Sequence, residues 1–242
     1  MVSIVMLCHN RLRLLEQALK SLSDNTDPKT FTLTLVDDGS DDFRVKKLLR
    51  SLERKHVSLL EVSNSGHVLA NLKNIGVAWS AARFGYKTGI PHHAYDGDYL
   101  GVFDSDVCFF PGWLPKMIEA LTKADFGEGR SVSLVGGCRH PFHGVNGLMG
   151  DEGYIEKTDA IAGYSHFMRW NTWERFGPYP SGCAAGIGQS EDHAFSLKIV
   201  QSGDFVGYVN PPVLAHCGIT DSNGKPAIGS DQFQRFPGVL YE

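Results

Sequence analysis

The chain has 242 residues, a hydrophobic fraction of 42%, a charged fraction of 21% and a formal net charge of -4. That is the composition of an ordinary globular protein, and it excludes a disordered chain or one built for broad electrostatic binding to nucleic acid or anionic membrane. No run approaches the ~20 apolar residues of a membrane span, and the opening "MVSIVMLCHN" is too short and unflanked for a signal peptide.

The predicted elements alternate from the start. "SIVML" is a short apolar run, suited to a strand buried on both faces. In "RLRLLEQALKSLSD", Leu12, Leu15, Leu19 and Leu22 recur at helical spacing. "FTLTLVDDGSDD" is a second β-rich run, stopped by an acidic turn with Gly39 and Ser40. "RVKKLLRSLERK" predicts a second amphipathic helix, and "VSLLEVS" a third strand. "NSGHVLANLKNIGVAWSAARFG" opens on a glycine loop and continues as a helix. "DYLGVFDSDVCFF" predicts a fourth strand running through Asp104 and Asp106.

Such alternation implies an α/β fold with a mostly parallel central sheet and helices on both faces. Ligands of these sheets bind outside the carboxyl ends of the strands. Asp37 and Asp38 end the second strand and Asp104 and Asp106 the fourth, so two acidic pairs are expected at one edge. The turn after the first strand, "LCHNRLRLL", has no glycine, which sets aside a dinucleotide-binding G-x-G-x-x-G, and no phosphate-binding G-x-x-x-x-G-K-S/T is present.

The five cysteines, Cys8, Cys108, Cys138, Cys183 and Cys217, are scattered without C-x-x-C spacing and read as reduced thiols of a cytoplasmic protein. Cys138, His140 and His143 lie close together, but no second ligand pair accompanies them as a zinc site needs. The stretch "RFGYKTGIPHHAYDGD", with His92 and His93, reads as a decorated loop or a partner surface. The tail "DSNGKPAIGSDQFQRFPGVLYE" reads as irregular and could order over a ligand.

The ordered set "SIVMLCHNRLRLLEQALKSL", "TLVDDGSDD", "NSGHVLANLKNIGVAWSAA", "VFDSDVCFFPGWL", "AIAGYSHFMRWNTWERFGPYP" and "SEDHAFSLKIVQSG" resembles the family 2 glycosyltransferases. The resemblance runs from the first strand to about His216. It implies one GT-A domain over residues 1–242, with a nucleotide-binding half to about residue 107 and a mixed acceptor half from about 108. It further implies an inverting enzyme that takes a sugar from a nucleotide donor, a UDP-sugar, with Mn²⁺ or Mg²⁺ as cofactor.

By that resemblance, Asp104, Asp106 and His216 are candidate metal ligands, with Asp106 the more direct of the two acids. A hard divalent cation prefers carboxylate oxygens, and neutral imidazole suits Mn²⁺. Along a strand Asp104 and Asp106 would share one side, with Ser105 opposite. Asp37 and Asp38 are candidates for reading the nucleotide, since a carboxylate can accept from uracil N–H or a ribose hydroxyl. His9, Asn10 and Arg11 should line the same pocket, although Asn10 could equally cap a helix.

Where the family carries Arg-Asn-x-Gly, this chain has Lys73, Asn74, Ile75 and Gly76. Lys73 offers a point charge for phosphate or is a helix lysine. Ser105, Asn74, Gly163, His166 and Trp170 complete the donor-side candidates. Glu191 and Asp192 fall at a predicted helix N-terminus, where the dipole alone favours acids. In the resembled family the second acid of this pair is the general base, which assigns the role to Asp192 and leaves Glu191 secondary.

A nucleotidyltransferase or a non-catalytic nucleotide- or carbohydrate-binding module are the alternatives. The first needs a glycine-rich loop after the first strand. The second does not need the Asp104–Asp106 pair and Asp192 together. The acceptor is open among glycan, lipid, protein, small molecule and modified nucleobase.

Overall fold

The computed structural model describes residues 1–63, 68–84, 98–122, 131–139, 147–149, 155–181 and 190–218. The stretches expected as a decorated loop with His92 and His93 and as an irregular tail lie outside these residues, as do His140, His143 and Cys183.

Three β–α units open the chain. They are β1 (Val2–Cys8), α1 (Leu12–Asn25), β2 (Phe31–Asp38), α2 (Phe43–Leu52), β3 (Val57–Val62) and α3 (Leu69–Phe84). β1 and β2 are mainly apolar and almost wholly buried, as strands covered on both faces require. Helix α1 buries Leu14, Leu15, Ala18 and Leu22 on one face. Asp42 caps α2, accepting from the Arg44 amide. Helix α3 lies so close to the sheet that a Cβ on Gly76 would come within 2.7 Å of Val5 Cγ1 and 2.8 Å of Val36 Cγ2. Only glycine admits that approach.

The second half contains β4 (Tyr99–Asp104), β5 (Val107–Phe109), α4 (Trp113–Thr122), β6 (Val132–Gly136), β7 (Gly147–Met149) and β8 (Ile155–Thr158). It closes with β9 (Ser165–Arg169), α5 (Trp170–Phe176), α6 (Glu191–Gln201), β10 (Phe205–Val209) and β11 (Leu214–His216).

The nine-stranded sheet has the order β3-β2-β1-β4-β9-β6-β10-β8-β7. The first four strands run parallel, β9 runs against both β4 and β6, and β10 runs parallel to β6. A mainly parallel sheet flanked by helices, with antiparallel strands added, is the expected architecture.

The expected fourth strand is in fact two. It breaks after Asp104, turns through Ser105 and Asp106, and resumes as β5, which pairs with β11 in a separate two-stranded sheet. Thus Asp106 reaches its neighbours from a turn rather than by strand alternation. Apolar side chains fill both faces of the main sheet. Phe103, Phe109 and Trp113 meet edge-on or tilted on one face, and the Trp113 indole N–H donates to Thr26 Oγ1 at 2.8 Å.

Candidate functional site

The carboxyl ends of β2, β1 and β4 lie side by side. Cys8 faces Asp37 across the β1–β2 ladder, and Leu7 faces both Val36 and Asp104. Strand β9 brings a further segment to this edge, because the Asp104 amide donates to Tyr164 O at 3.2 Å. The β5–β11 pairing sets His216 opposite Val107, and the Cys217 amide donates to Asp106 O at 2.8 Å. Three separate stretches of sequence therefore converge on Asp104 and Asp106.

Asp106 sits between two basic groups. Arg11 Nη1 donates to its Oδ2 at 3.1 Å, and His216 Nε2 lies 3.4 Å from its Oδ1. Burial acts to raise the Asp106 carboxyl, but His216 and Arg11 hold it below the usual carboxylate range. His216 responds in reverse. Burial acts to lower its pKa, while Asp106 and then Asp104 carry it above the ordinary imidazole value. The imidazole stacks on Tyr164, with centroids 4.1 Å apart and planes 6° from parallel.

Asp104 is different. Its Oδ1 is buried with no hydrogen-bond partner among the described residues. Burial is the main force that pushes its carboxyl up to about 7; Asp106 and Glu191 add to it, while Lys73 and His216 oppose it. An orphaned buried carboxylate oxygen beside a second acid and an imidazole is a donor set that a hard divalent cation fits. Among the described residues, no three His, Cys, Asp or Glu side chains are already gathered into a metal cage.

The β2 turn divides its two acids. Asp37 is buried and its Oδ1 accepts from both the amide and the hydroxyl of Ser40, at 3.0 and 2.6 Å. It shapes the turn. Asp38 keeps a buried Oδ1 without a partner among the described residues, and so retains an acceptor to offer. His9 Nδ1 is 2.8 Å from Asp38 O. The Asn10 amide donates to Ser40 Oγ, and Asn10 Oδ1 accepts from the amides of Asp41 and Asp42. Asn10 thus braces the start of α2. Asn10 and Arg11 both have positive φ, 52° and 49°, which turns the chain sharply into α1 and aims Arg11 at Asp106. Ser105, in the β4–β5 turn, is buried and its amide donates to Leu7 O.

The acceptor-side acids begin α6. Asp192 Oδ2 accepts from the Gly163 amide at 2.8 Å, and Oδ1 from the His193 amide at 2.8 Å. Burial acts to raise its pKa, but Ser190, His166, Lys73 and the His193 amide together leave it below the ordinary Asp value. Asp192 is therefore ionised at neutral pH.

Glu191 is engaged elsewhere. Its Oε1 accepts from Lys73 Nζ at 2.8 Å, and that lysine is fully buried and lies 5.2 Å from the centre of the Tyr179 ring. Lys73 is thus neither a solvated helix lysine nor a free cation. Asn74 is likewise occupied, exchanging hydrogen bonds of 2.9 and 2.8 Å with the backbone of Tyr179.

Two expected donor contacts are corrected. His166 is fully buried in the middle of β9, with Nδ1 2.8 Å from Tyr179 Oη and Nε2 3.0 Å from Ile161 O. Strand alternation turns it inward against Phe195, and it supports the α6 side from beneath. Trp170 is buried in the same core cluster and packs rather than lining a sugar site. The sequence reading missed Tyr164, which fixes the His216 ring, and Tyr179, which links Asn74, His166 and Lys73. Both lie in the same motif-bearing stretch, "AIAGYSHFMRWNTWERFGPYP". Aromatic residues are too often simple core for the pattern to single them out.

Comparison with known proteins bears on the fold. Residues 3–83 match the family model "Glycosyl transferase family 2". Over that stretch, about a third of its length, the chain is similar to the family 2 glycosyltransferases. No curated protein matches it in sequence. Among solved structures, it is similar to a mannosyltransferase, PcManGT from Pyrobaculum calidifontis, in complex with GDP-Man and Mn²⁺, at 15% identity and TM-score 0.57, covering 87% of this chain and 54% of that one. It is similar to S. aureus TarS 1–349 in complex with UDP-GlcNAc, at 14% identity and TM-score 0.56, covering 88% and 57%. It also resembles GalNAc-T7 with UDP, GalNAc and Mn²⁺, at 17% identity and TM-score 0.61, covering 89% and 42%. The chain thus spans about half the length of the structures it matches. At these identities the likeness concerns the GT-A fold of the glycosyltransferase domain. Among the described residues, no helix is long and apolar enough to cross a membrane.

Proposed function

We propose that this domain moves a sugar from a nucleotide-sugar donor, a UDP-sugar, to a hydroxyl-bearing acceptor by a single displacement that inverts the anomeric centre. The observation that carries this reading is the convergence of two carboxylate sites on one sheet edge. Asp104 and Asp106 face a basic group and an imidazole. Asp192, oriented by hydrogen bonds from the Gly163 and His193 amides, approaches through the segment that leads into β9.

On this reading the nucleotide lies over the β1 and β2 ends. Asp38 offers its unpartnered oxygen to a base or ribose donor, and the rigid Asp37–Ser40 turn sets its place. Asp104, Asp106 and His216 would hold Mn²⁺ or Mg²⁺, which when bound neutralises the charge of the departing diphosphate as a Lewis acid. The neighbouring structures with GDP-Man and Mn²⁺, with UDP-GlcNAc, and with UDP and Mn²⁺ support a nucleotide-sugar donor.

Asp192 takes the proton of the acceptor hydroxyl as its oxygen attacks from the face opposite the leaving group. Because its two oxygens are fixed by backbone amides, it is aimed before the acceptor arrives. Glu191 pairs with Lys73 and positions the start of α6. The described cysteines, Cys8, Cys108, Cys138 and Cys217, are all free and buried, which supports a reducing cytoplasmic setting.

A thermal-shift screen of nucleotide sugars with and without Mn²⁺ tests the reading. A UDP-sugar should raise the midpoint only with the metal present. No shift with any nucleotide sugar would overturn the donor assignment.

A further inference from the structure

We propose that Arg11 is an internal counter-ion that holds Asp106 closed against divalent metal, so that metal binding requires Arg11 to release it. The proposal rests on the donor-site reading above and concerns a residue whose own role that reading left general.

Arg11 is not placed beside Asp106 by ordinary helix geometry. It is the N-cap residue of α1, carries no side-chain capping bond, and takes a left-handed conformation at φ 49° and ψ 53°. Such a conformation is uncommon for a long side chain and persists where the surroundings over-determine it. Here it directs the guanidinium 3.1 Å from Asp106 Oδ2. The pair is half-withdrawn from water, with 34% of the Arg11 side chain and 12% of the Asp106 side chain exposed.

A second observation concerns Gly218, two residues beyond His216. A Cβ at that position would collide with Asp106 Oδ2 and would stand 2.6 Å from Arg11 Nη1. The backbone after β11 therefore packs directly over the ion pair and has no side chain there. The contact encloses the Asp106 oxygen that Arg11 holds.

The protein thus supplies its own cation to Asp106 Oδ2, while Oδ1 is buried without a hydrogen bond among the described residues. A divalent ion seeking Oδ2 must displace Arg11. The released guanidinium, still on the short turn between β1 and α1, is then a planar fork close to where an anionic diphosphate would sit. Metal alone should bind weakly, and metal with a diphosphate should bind well, because the diphosphate gives Arg11 a new partner.

The test is Mn²⁺ binding followed by electron paramagnetic resonance, without nucleotide, on the wild type, Arg11→Met, Arg11→Lys and Asp106→Asn. Arg11→Met should bind Mn²⁺ about tenfold tighter than the wild type, as expected for removing a partly buried charge-assisted competitor. Arg11→Lys, which keeps a competing cation, should stay within about threefold of the wild type. Asp106→Asn should lose the site.

A measurement on the wild type needs no variant to fold. The ¹⁵N signals of the Arg11 guanidinium should change on saturation with diamagnetic Mg²⁺ as Asp106 lets go. If Asp106→Asn binds Mn²⁺ as well as the wild type, the metal-site reading itself fails. If Asp106→Asn loses Mn²⁺ while Arg11→Met gains nothing, or the Arg11 signals ignore Mg²⁺, the metal site stands and the counter-ion role is overturned.

Discussion

Replacing Asp104 by Asn should make the metal-free protein more stable at pH 8, and the gain should disappear in acid. The carboxyl is pushed from 3.8 up to about 7, above all by burial. Its Oδ1 has no hydrogen-bond partner among the described residues to offset that burial. Between those two values the folded chain holds a proton that the unfolded chain has released. A raised carboxyl therefore adds no penalty below about pH 4, and folding stability declines as pH rises from there through about 7.

An interval of roughly 3 units at 1.36 kcal/mol each gives about 4 kcal/mol, an upper figure for the cost of the charged form. Asn carries no charge to desolvate, so Asp104→Asn should gain about 2–4 kcal/mol at pH 8 and about nothing at pH 4. Urea unfolding of both proteins in EDTA, at several pH values across that range, measures the difference directly. Adding Mn²⁺ at pH 8 should then stabilise the wild type and narrow the gap. A mutant less stable than the wild type at pH 8, or a difference that does not vary with pH, would refute the argument that burial without a hydrogen-bond partner penalises the Asp104 carboxylate.

Other outcomes follow from the same contacts. Lys73→Met should destabilise the fold by about 3–5 kcal/mol, because Glu191 is left without its buried partner, and the double change with Glu191→Gln should recover part of the loss in chemical denaturation. Tyr179→Phe removes the hydroxyl beside His166 Nδ1 and should cost about 1–3 kcal/mol by the same measurement. UDP should compete for the site better than GDP, ADP or CDP in calorimetric titration with Mn²⁺, and a clear preference for GDP would replace uridine by guanosine in the reading.

The parallel half of the fold was legible because each strand and helix there is local and strongly patterned. The Leu12–Leu15–Leu19–Leu22 spacing and the apolar runs of β1 and β2 determine their elements without help from distant residues. The carboxyl ends of those strands, and with them the meeting of the two acidic pairs, followed from topology alone. The β4–β5 break was not legible, since "VFDSDVCFF" holds no glycine or proline to mark it and the pairing of β5 with β11 joins segments far apart in sequence.

His166 and Trp170 were misplaced for a related reason. Both faces of β9 are covered because it is inserted antiparallel between β4 and β6, a contact across long sequence separations, and Trp170 begins α5 directly after it. Lys73 shows the limit for charges. A lysine in a helix reads as solvated or as a ligand group, and nothing near it in sequence announces the pairing with Glu191 across 118 residues.

The central proposal is that Asp192 acts as the base of an inverting glycosyl transfer from a donor held at the neighbouring carboxyl ends of β1, β2 and β4. Its most direct test is turnover of a UDP-sugar with Mn²⁺ by the wild type and Asp192→Asn, with donor affinity measured in parallel. The account expects kcat to fall by roughly 10²–10⁴ while donor affinity hardly changes, and the product to carry the anomeric configuration opposite to the donor's. Turnover near the wild-type level in Asp192→Asn, or a product that retains the donor's configuration, would contradict it.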